Sequence, residues 1–159
     1  MKIYVHCVGK LKESFYREAC DEYIKRLSSY AKIEIVEEKD LPIPENASVK
    51  EEEEVKNKEG AKILSRLKPS DLLIALDLGG KEMTSEVFSS SLMGWLKQGG
   101  SNLHFVIGGS LGLSDELKKR AHARIAFGEM TFPHGLARVM LLEQIYRGFK
   151  IASNEPYHK

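Results

Sequence analysis

The chain contains the segment Leu103-His104-Phe105-Val106-Ile107-Gly108-Gly109-Ser110, which predicts a buried β-strand that ends in a glycine pair. A second continuous apolar run, Leu72-Leu73-Ile74-Ala75-Leu76-Asp77-Leu78, is followed by Gly79-Gly80-Lys81, which we expect to end that strand. Strands that are apolar at almost every position are covered on both faces, as in a parallel sheet between helices. These two segments therefore predict an α/β domain.

On either side of these segments, strand and helix patterns alternate along the chain. Period-two alternation and short apolar runs predict five strands, at residues 3–7, 32–37, 72–78, 103–107 and 124–127. Apolar residues three and four apart predict helices at residues 15–30, 50–68, 84–98 and 135–151, with a short helix that begins after Ser114. This order indicates a mainly parallel sheet flanked by helices, in one domain that spans residues 1–159.

The composition excludes several classes of protein. No apolar run reaches the roughly 20 residues that span a bilayer, and the N-terminus lacks the features of a signal peptide, so we expect a cytoplasmic protein without membrane contact. Cys7 and Cys20 fit no metal or redox spacing, and we expect two buried, reduced thiols. No other group of residues has metal-ligand spacing, so we expect no metal. The net charge of +1 is low for a protein that binds nucleic acid.

Glycines lie at or after the ends of three predicted strands, in the stretches 76–80, 107–110 and 127–131. Ligands of open parallel sheets bind at the carboxyl ends of the strands, and glycine lets the backbone approach a flat ligand closely. Together the three stretches predict a nucleoside site that uses main-chain hydrogen bonds. They lack the spacing of a dinucleotide motif or a P-loop, and Ser110 lacks the surroundings of a hydrolase nucleophile.

The last predicted helix, residues 135–151, is apolar nearly all round, so most of its surface must be buried. A subunit interface is the favoured explanation, and a core helix of a monomer is the alternative.

For His104, on a buried strand, we expect a role in the core or in a subunit contact. The tail from Ser153 to Lys159 fits either a frayed terminus or an RNA contact, because it ends in an aromatic ring, an imidazole and a cation.

Several segments together resemble one known family. They are Val8-Gly9-Lys10-Leu11-Lys12, Phe105-Val106-Ile107-Gly108-Gly109-Ser110-Leu111-Gly112-Leu113, Met130-Thr131-Phe132-Pro133-His134, Leu142-Glu143-Gln144-Ile145-Tyr146-Arg147 and the final Pro156-Tyr157-His158-Lys159. Over its whole length the chain is similar to the pseudouridine N3-methyltransferases of the large ribosomal subunit, in the SPOUT superfamily. The resemblance implies a C-terminal trefoil knot and a homodimer that packs partly through the last helix.

The resemblance also implies a reaction and a donor site. The substrate would be N3 of a pseudouridine in helix 69 of 23S rRNA, within the assembled ribosome, and the methyl donor would be S-adenosylmethionine. The donor would lie in the knot, on Leu76, Gly108, Gly109 and the segment Phe127-Gly128-Glu129-Met130-Thr131-Phe132.

The same resemblance implies catalytic residues near the C-terminus. Tyr157 and His158 would act on the substrate side, and His134 and His158 are the two candidates for the general base. His134 has a structural alternative, as a cap of the last helix. Two other functions stay open: a ribosome-associated binding module with this fold and no catalysis, and a nucleotide-binding α/β protein with unrelated chemistry.

Overall fold

The computed structural model describes residues 1–99 and 102–159, in which strands and helices alternate. The strands are β1 (Lys2–Val8), β2 (Lys32–Glu38), β3 (Leu72–Lys81), β4 (Asn102–Ile107) and β5 (Ala123–Ile125). The helices are α1 (Ser14–Leu27), α2 (Val49–Leu64), α3 (Ser85–Gln98), α4 (Asp115–Arg120) and α5 (His134–Ala152). All ten elements lie close to the segments in which the sequence predicts them.

The strands form one sheet in the order β2-β1-β4-β3-β5, and every neighbouring pair is parallel. Helices α1, α3 and α5 cover one face, where the larger apolar core lies around Phe105 and Leu141. Helices α2 and α4 cover the other face, around Ile63 and Leu117. The predicted α/β class is confirmed, and the order brings the carboxyl ends of β4, β3 and β5 side by side.

We expected strand β3 to end at the glycine pair, but it continues to Lys81. After a register shift beyond Leu76, Lys81 pairs with Ile125, and its carbonyl accepts a hydrogen bond from the Ala126 N–H at 3.1 Å. A Cβ atom on Gly80 would lie 2.6 Å from the Ile125 backbone, so glycine is needed for this close approach. Strand β5 ends at Ile125, two residues before the predicted Phe127, which therefore belongs to the following loop.

Helix α5 is buried by its own chain. It packs between α1 and α3, and Leu141, Leu142 and Ile145 are wholly buried. The Ser89 hydroxyl of α3 donates a hydrogen bond to the Gly148 carbonyl at 2.6 Å, which brings the two helices close together. The apolar surface of α5 is therefore explained within one chain, and the homodimer stays a prediction. Within the described residues, no helix has both the length and the apolar character needed to cross a membrane.

Both cysteines are free and buried, as predicted. Burial raises the pKa of Cys7 to about 12 and that of Cys20 to about 11. Because the thiolate is the reactive form of cysteine, neither side chain is suited to nucleophilic or redox chemistry.

His104 belongs to the core, in a buried polar group on the α2/α4 face of the sheet. One ring N–H of the pair His6 and His104 donates to the other ring, with 2.8 Å between His6 Nε2 and His104 Nδ1. The His104 ring stacks on Tyr4, and its Nε2 lies 3.4 Å from the buried Asp71 carboxylate. The His6 Nδ1 atom is buried without a hydrogen-bond partner among the described residues. A protonated His6 would therefore be poorly solvated.

We expect this pair to make the protein sensitive to acid. Burial, helped by repulsion from His104, lowers the pKa of His6 to about 4, and burial also lowers the pKa of His104. Between about pH 6.5 and pH 4 the unfolded chain binds a proton that folded His6 does not. The free energy of unfolding should therefore fall as the pH falls through this range, by on the order of 3 kcal/mol for His6 alone.

Urea unfolding at pH 7.5 and pH 4.5 measures the effect. The double variant His6→Leu/His104→Leu should lose less stability between the two pH values than the wild type does. His122→Gln is the control, because His122 is exposed and lies outside the pair. Equal pH dependence in the wild type and the double variant would show that the pair is not responsible.

Candidate functional site

A cavity of about 660 Å³ lies after the carboxyl ends of β4 and β5, beside the residues at which β3 stops pairing with β4. Its walls are residues 76–78, the loop 107–113 and the loop 126–133, with one residue each from α2 and α4 and two from α5. The cavity is lined by eight of the nine residues that the resemblance assigns to the donor: Leu76, Gly108, Gly109, Phe127, Gly128, Met130, Thr131 and Phe132. The ninth, Glu129, is exposed and is not part of the lining.

The glycines of these loops differ in the space around their backbone. Gly112 has φ +85° and its N–H donates to the Gly109 carbonyl at 3.0 Å, which closes a tight turn. A Cβ atom on Gly112 would meet nothing within 4 Å, and one on Gly128, at φ +148°, would only reach Glu82 at 4.0 Å. The backbone at these two positions therefore borders open space. Gly108 differs, because its Cβ would lie 2.8 Å from the Gly112 carbonyl carbon.

Most side chains of the lining are apolar, and three charged ones, Asp77, Lys118 and Lys56, are not among the predicted site residues. Asp77 accepts hydrogen bonds from Arg124 Nε at 2.9 Å and Nη2 at 2.5 Å, and Lys118 Nζ lies 3.9 Å from its other oxygen. Asp77 directly follows Leu76 and lies in the stretch 76–80 that the sequence singled out, so a sequence signal for it existed. Lys118 and Lys56 lie on helices of the other layer, and no motif points to them. Apolar walls with exposed main-chain groups suit a flat heterocycle held by backbone hydrogen bonds.

His134 lies between two cavities. It is the first residue of α5, is exposed, and lines the cavity described above. It also lines a second cavity of about 660 Å³, whose other walls are Gly9, Lys10, Lys12, Glu13, Glu37, Glu38, Lys39 and Asp40. The residue before it, Pro133, is the N-cap, and α5 has no side-chain capping hydrogen bond. The expected alternative role of His134 as a helix cap is therefore wrong.

The tail after α5 is held against that helix and is not a frayed terminus. The Glu155 carboxylate accepts hydrogen bonds from Lys150 Nζ at 2.6 Å and from the Tyr30 hydroxyl at 2.8 Å. These contacts join the tail to both α5 and the chain segment that follows α1. Neither Tyr157 nor His158 lines the cavity beside the ends of β4 and β5.

Tyr157 packs on the surface of α5. Its ring stands edge-on to Tyr146, with 4.8 Å between the centroids, and its hydroxyl donates to Glu143 Oε1 at 3.1 Å. The Arg147 guanidinium lies 4.7 Å from the ring centroid. Burial, followed by the contact with Tyr23, raises the pKa of Tyr157. Its phenol is therefore neutral at physiological pH and cannot accept a proton as a phenolate would.

Both ring nitrogens of His158 have partners. Nδ1 lies 3.1 Å from Arg147 Nη1, and Nε2 lies 2.8 Å from Glu86 Oε1. Because a guanidinium only donates, Nδ1 accepts and Nε2–H donates to the carboxylate. His158 also lowers the pKa of Glu86. In this arrangement His158 has no free lone pair with which to take a proton.

Comparisons with known proteins were consistent with one another. A family model described as "Predicted SPOUT methyltransferase" matches residues 1–158. Among curated relatives, Ribosomal RNA large subunit methyltransferase H 1 of Clostridium perfringens is 57% identical to this chain. Ribosomal RNA large subunit methyltransferase H of Clostridium beijerinckii is 52% identical. Both matches extend over 159 residues and cover the full length of both chains. A solved structure, a probable methylase family protein from Haemophilus influenzae, has a TM-score of 0.53 over 99% of this chain and 70% of that chain. At 11% identity, this last likeness supports the fold alone.

Proposed function

This chain belongs to the SPOUT methyltransferase family, and we propose that it methylates N3 of a pseudouridine in helix 69 of 23S rRNA, with S-adenosylmethionine as the methyl donor. Methylation of ribosomal RNA is the activity that the names of its curated relatives give. The trefoil knot is implied by membership of the family. We propose further that the substrate is the assembled ribosome and that the protein acts in the cytoplasm as a homodimer.

One observation carries the proposal: residues 76–78 of β3 and the loops that follow β4 and β5 together line one cavity of about 660 Å³. This volume lies within the range typical of small-molecule sites. The backbone at Gly112 and Gly128 borders open space and lets a ligand approach closely, while Leu76, Phe127 and Phe132 supply apolar walls. The residues present therefore fit a nucleoside-bearing donor, with Leu76, Gly108, Gly109 and residues 127–132 as its proposed site.

When bound, S-adenosylmethionine supplies an electrophilic methyl group on its sulfonium. Transfer forms a bond from N3 to the methyl carbon, breaks the bond from sulfur to that carbon, and releases the N3 proton. The chain must hold N3 in line with the methyl group and accept the proton. Alignment by a rigid site can supply a large part of the rate.

We propose His134 as the first candidate for the proton acceptor. Its imidazole borders the donor cavity, and it has no hydrogen-bond partner among the described residues. His158, the other candidate, would first have to release Arg147 to free its Nδ1 lone pair. Tyr157 and His158 are better suited to contact the substrate than to take its proton.

The test uses ribosomes from cells that lack this gene. We expect the purified protein with S-adenosylmethionine to add one methyl group, and mass analysis of 23S rRNA fragments should place it on the pseudouridine of helix 69. Calorimetry with S-adenosylmethionine alone measures the donor site separately.

Two results would contradict the proposal in different ways. Donor binding without methyl transfer to intact ribosomes would favour a binding module with the same fold. No donor binding at millimolar concentration would exclude the methyltransferase activity and favour unrelated nucleotide chemistry.

A further inference from the structure

The second cavity, between the loops that follow β1 and β2, carries positive charge at its rim. Lys10, Lys12 and Lys39 line it and are all exposed. Among the described residues, no carboxylate lies within ion-pair distance of any of them. These ammonium groups are therefore available to a ligand.

Two of the four carboxylates in the lining already have cationic partners. Glu37 Oε2 accepts a hydrogen bond from the buried Arg138 guanidinium at 2.9 Å. Glu38 is buried and paired with Arg66. Glu13 and Asp40 face three lysines without an ion-pair partner of their own, so the free charge of the cavity is positive.

The wall that presents Lys10 and Lys12 is fixed by hydrogen bonds on both sides. The Gly9 N–H donates to the Glu38 carbonyl at 2.8 Å, and the Gly9 carbonyl accepts from Arg138 at 3.3 Å. The Leu11 N–H donates to Glu37 at 3.3 Å. A fixed loop loses little conformational entropy when its side chains bind a ligand. Arg138 thus connects this loop to α5, one turn after His134.

The two cavities meet at His134, which lines both. Consider an RNA strand whose target base enters the donor cavity past His134. Its sugar–phosphate backbone must then pass over the rim of the second cavity. We propose that the second cavity binds the phosphates of the RNA strand next to the target nucleotide, through Lys10 and Lys12 with Lys39 beside them. This inference rests on the proposed function and adds to it the surface on which the RNA backbone lies. It also explains how a chain of net charge +1 can bind RNA, by a local surplus of lysine.

The experiment measures methyl transfer to ribosomes from cells that lack the gene, at fixed magnesium and at several KCl concentrations. Each lost contact between a lysine and a phosphate should reduce the dependence of log KM on log salt by about 0.8. For Lys10→Gln/Lys12→Gln we therefore expect a slope smaller by about 1.6 and a KM raised roughly 40-fold at about 0.1 M salt. The kcat should change less than about threefold, since neither residue borders the donor cavity.

Two single variants serve as controls. Lys97→Gln removes another exposed lysine, near the end of α3 and outside the lining of both cavities, and should leave KM and the salt slope unchanged. Glu13→Gln removes a carboxylate from the same cavity wall and should lower KM. An unchanged or higher KM in Glu13→Gln would contradict an electrostatic contact at this wall.

Failure of the inference can be told apart from failure of the proposed function. If the wild type methylates ribosomes and the double lysine variant has the same KM and salt slope, the second cavity does not bind phosphate. A raised KM with an unchanged salt slope would also overturn the inference, in favour of a contact with a ribosomal protein. A wild type that binds no donor and transfers no methyl group would instead refute the proposed function.

Discussion

Gly108→Val is expected to weaken binding of S-adenosylmethionine by at least about 100-fold, because overpacking against a fixed backbone costs about 3 kcal/mol. A Cβ atom at this position would lie 2.8 Å from the Gly112 carbonyl carbon and 3.0 Å from Leu113 Cδ2. The loop 108–112 would have to open to relieve these contacts. Since this loop forms one wall of the proposed donor cavity, its displacement would change the shape of that cavity.

Calorimetry with S-adenosylmethionine measures this loss, and thermal unfolding shows whether the variant is still folded. Gly94→Ala is the matched control, because a Cβ atom on Gly94 would meet nothing within 4 Å on the exposed face of α3. The control should bind the donor normally and be more stable by about 0.5–1 kcal/mol, since alanine favours the helix. A folded Gly108→Val protein with wild-type affinity would place the donor elsewhere.

Much of the fold could be predicted because the buried strands are continuous runs of apolar residues in the sequence. The runs 72–76 and 103–107 are apolar on both faces, and their burial between two layers of helices follows directly. The candidate site could be predicted for a related reason. Glycines in three stretches near predicted strand ends point to the same end of a parallel sheet. The structure brings the glycine loops after β4 and β5 together around one cavity, to which β3 contributes residues 76–78 and not Gly79 or Gly80.

Other features depend on contacts between distant segments, which periodicity does not report. Gly79 and Gly80 were expected to end β3, yet Gly80 lets that strand pass close to the Ile125 backbone and continue. The apolar surface of α5 indicated a subunit interface, but α1 and α3 of the same chain bury most of it. The second cavity forms where residues 9–13, residues 37–40 and His134 meet in space, so no local motif predicts it.

Removing Tyr157 through Lys159 is expected to lower kcat by at least about 100-fold while leaving the affinity for S-adenosylmethionine unchanged. Tyr157 and His158 line neither cavity of their own chain, so the donor site should keep its shape without them. The loss in kcat would come from a substrate nucleotide that is less well aligned, and misalignment of about 1 Å can cost about 100-fold.

The controls separate a role in catalysis from a role in packing. Removing Lys159 alone keeps the contacts of Tyr157 and His158 and should have little effect on kcat. Tyr157→Phe keeps the ring on Tyr146 and loses the hydroxyl that contacts Glu143 and Tyr23, so its kcat should lie between those of the wild type and the truncated protein. Full activity of the truncated protein on ribosomes would exclude a substrate role for the tail.

The same truncation can show which subunit uses the tail. The tail of one chain lies outside its own donor cavity, which favours action on the cavity of a second subunit. We therefore expect a mixture of the truncated protein with His134→Gln to regain activity, although each alone is impaired. A mixed dimer would combine the intact cavity of the first chain with the intact tail of the second. If mixed dimers form and stay as inactive as their parents, the tail must act on its own chain, after His158 leaves Glu86 and Arg147.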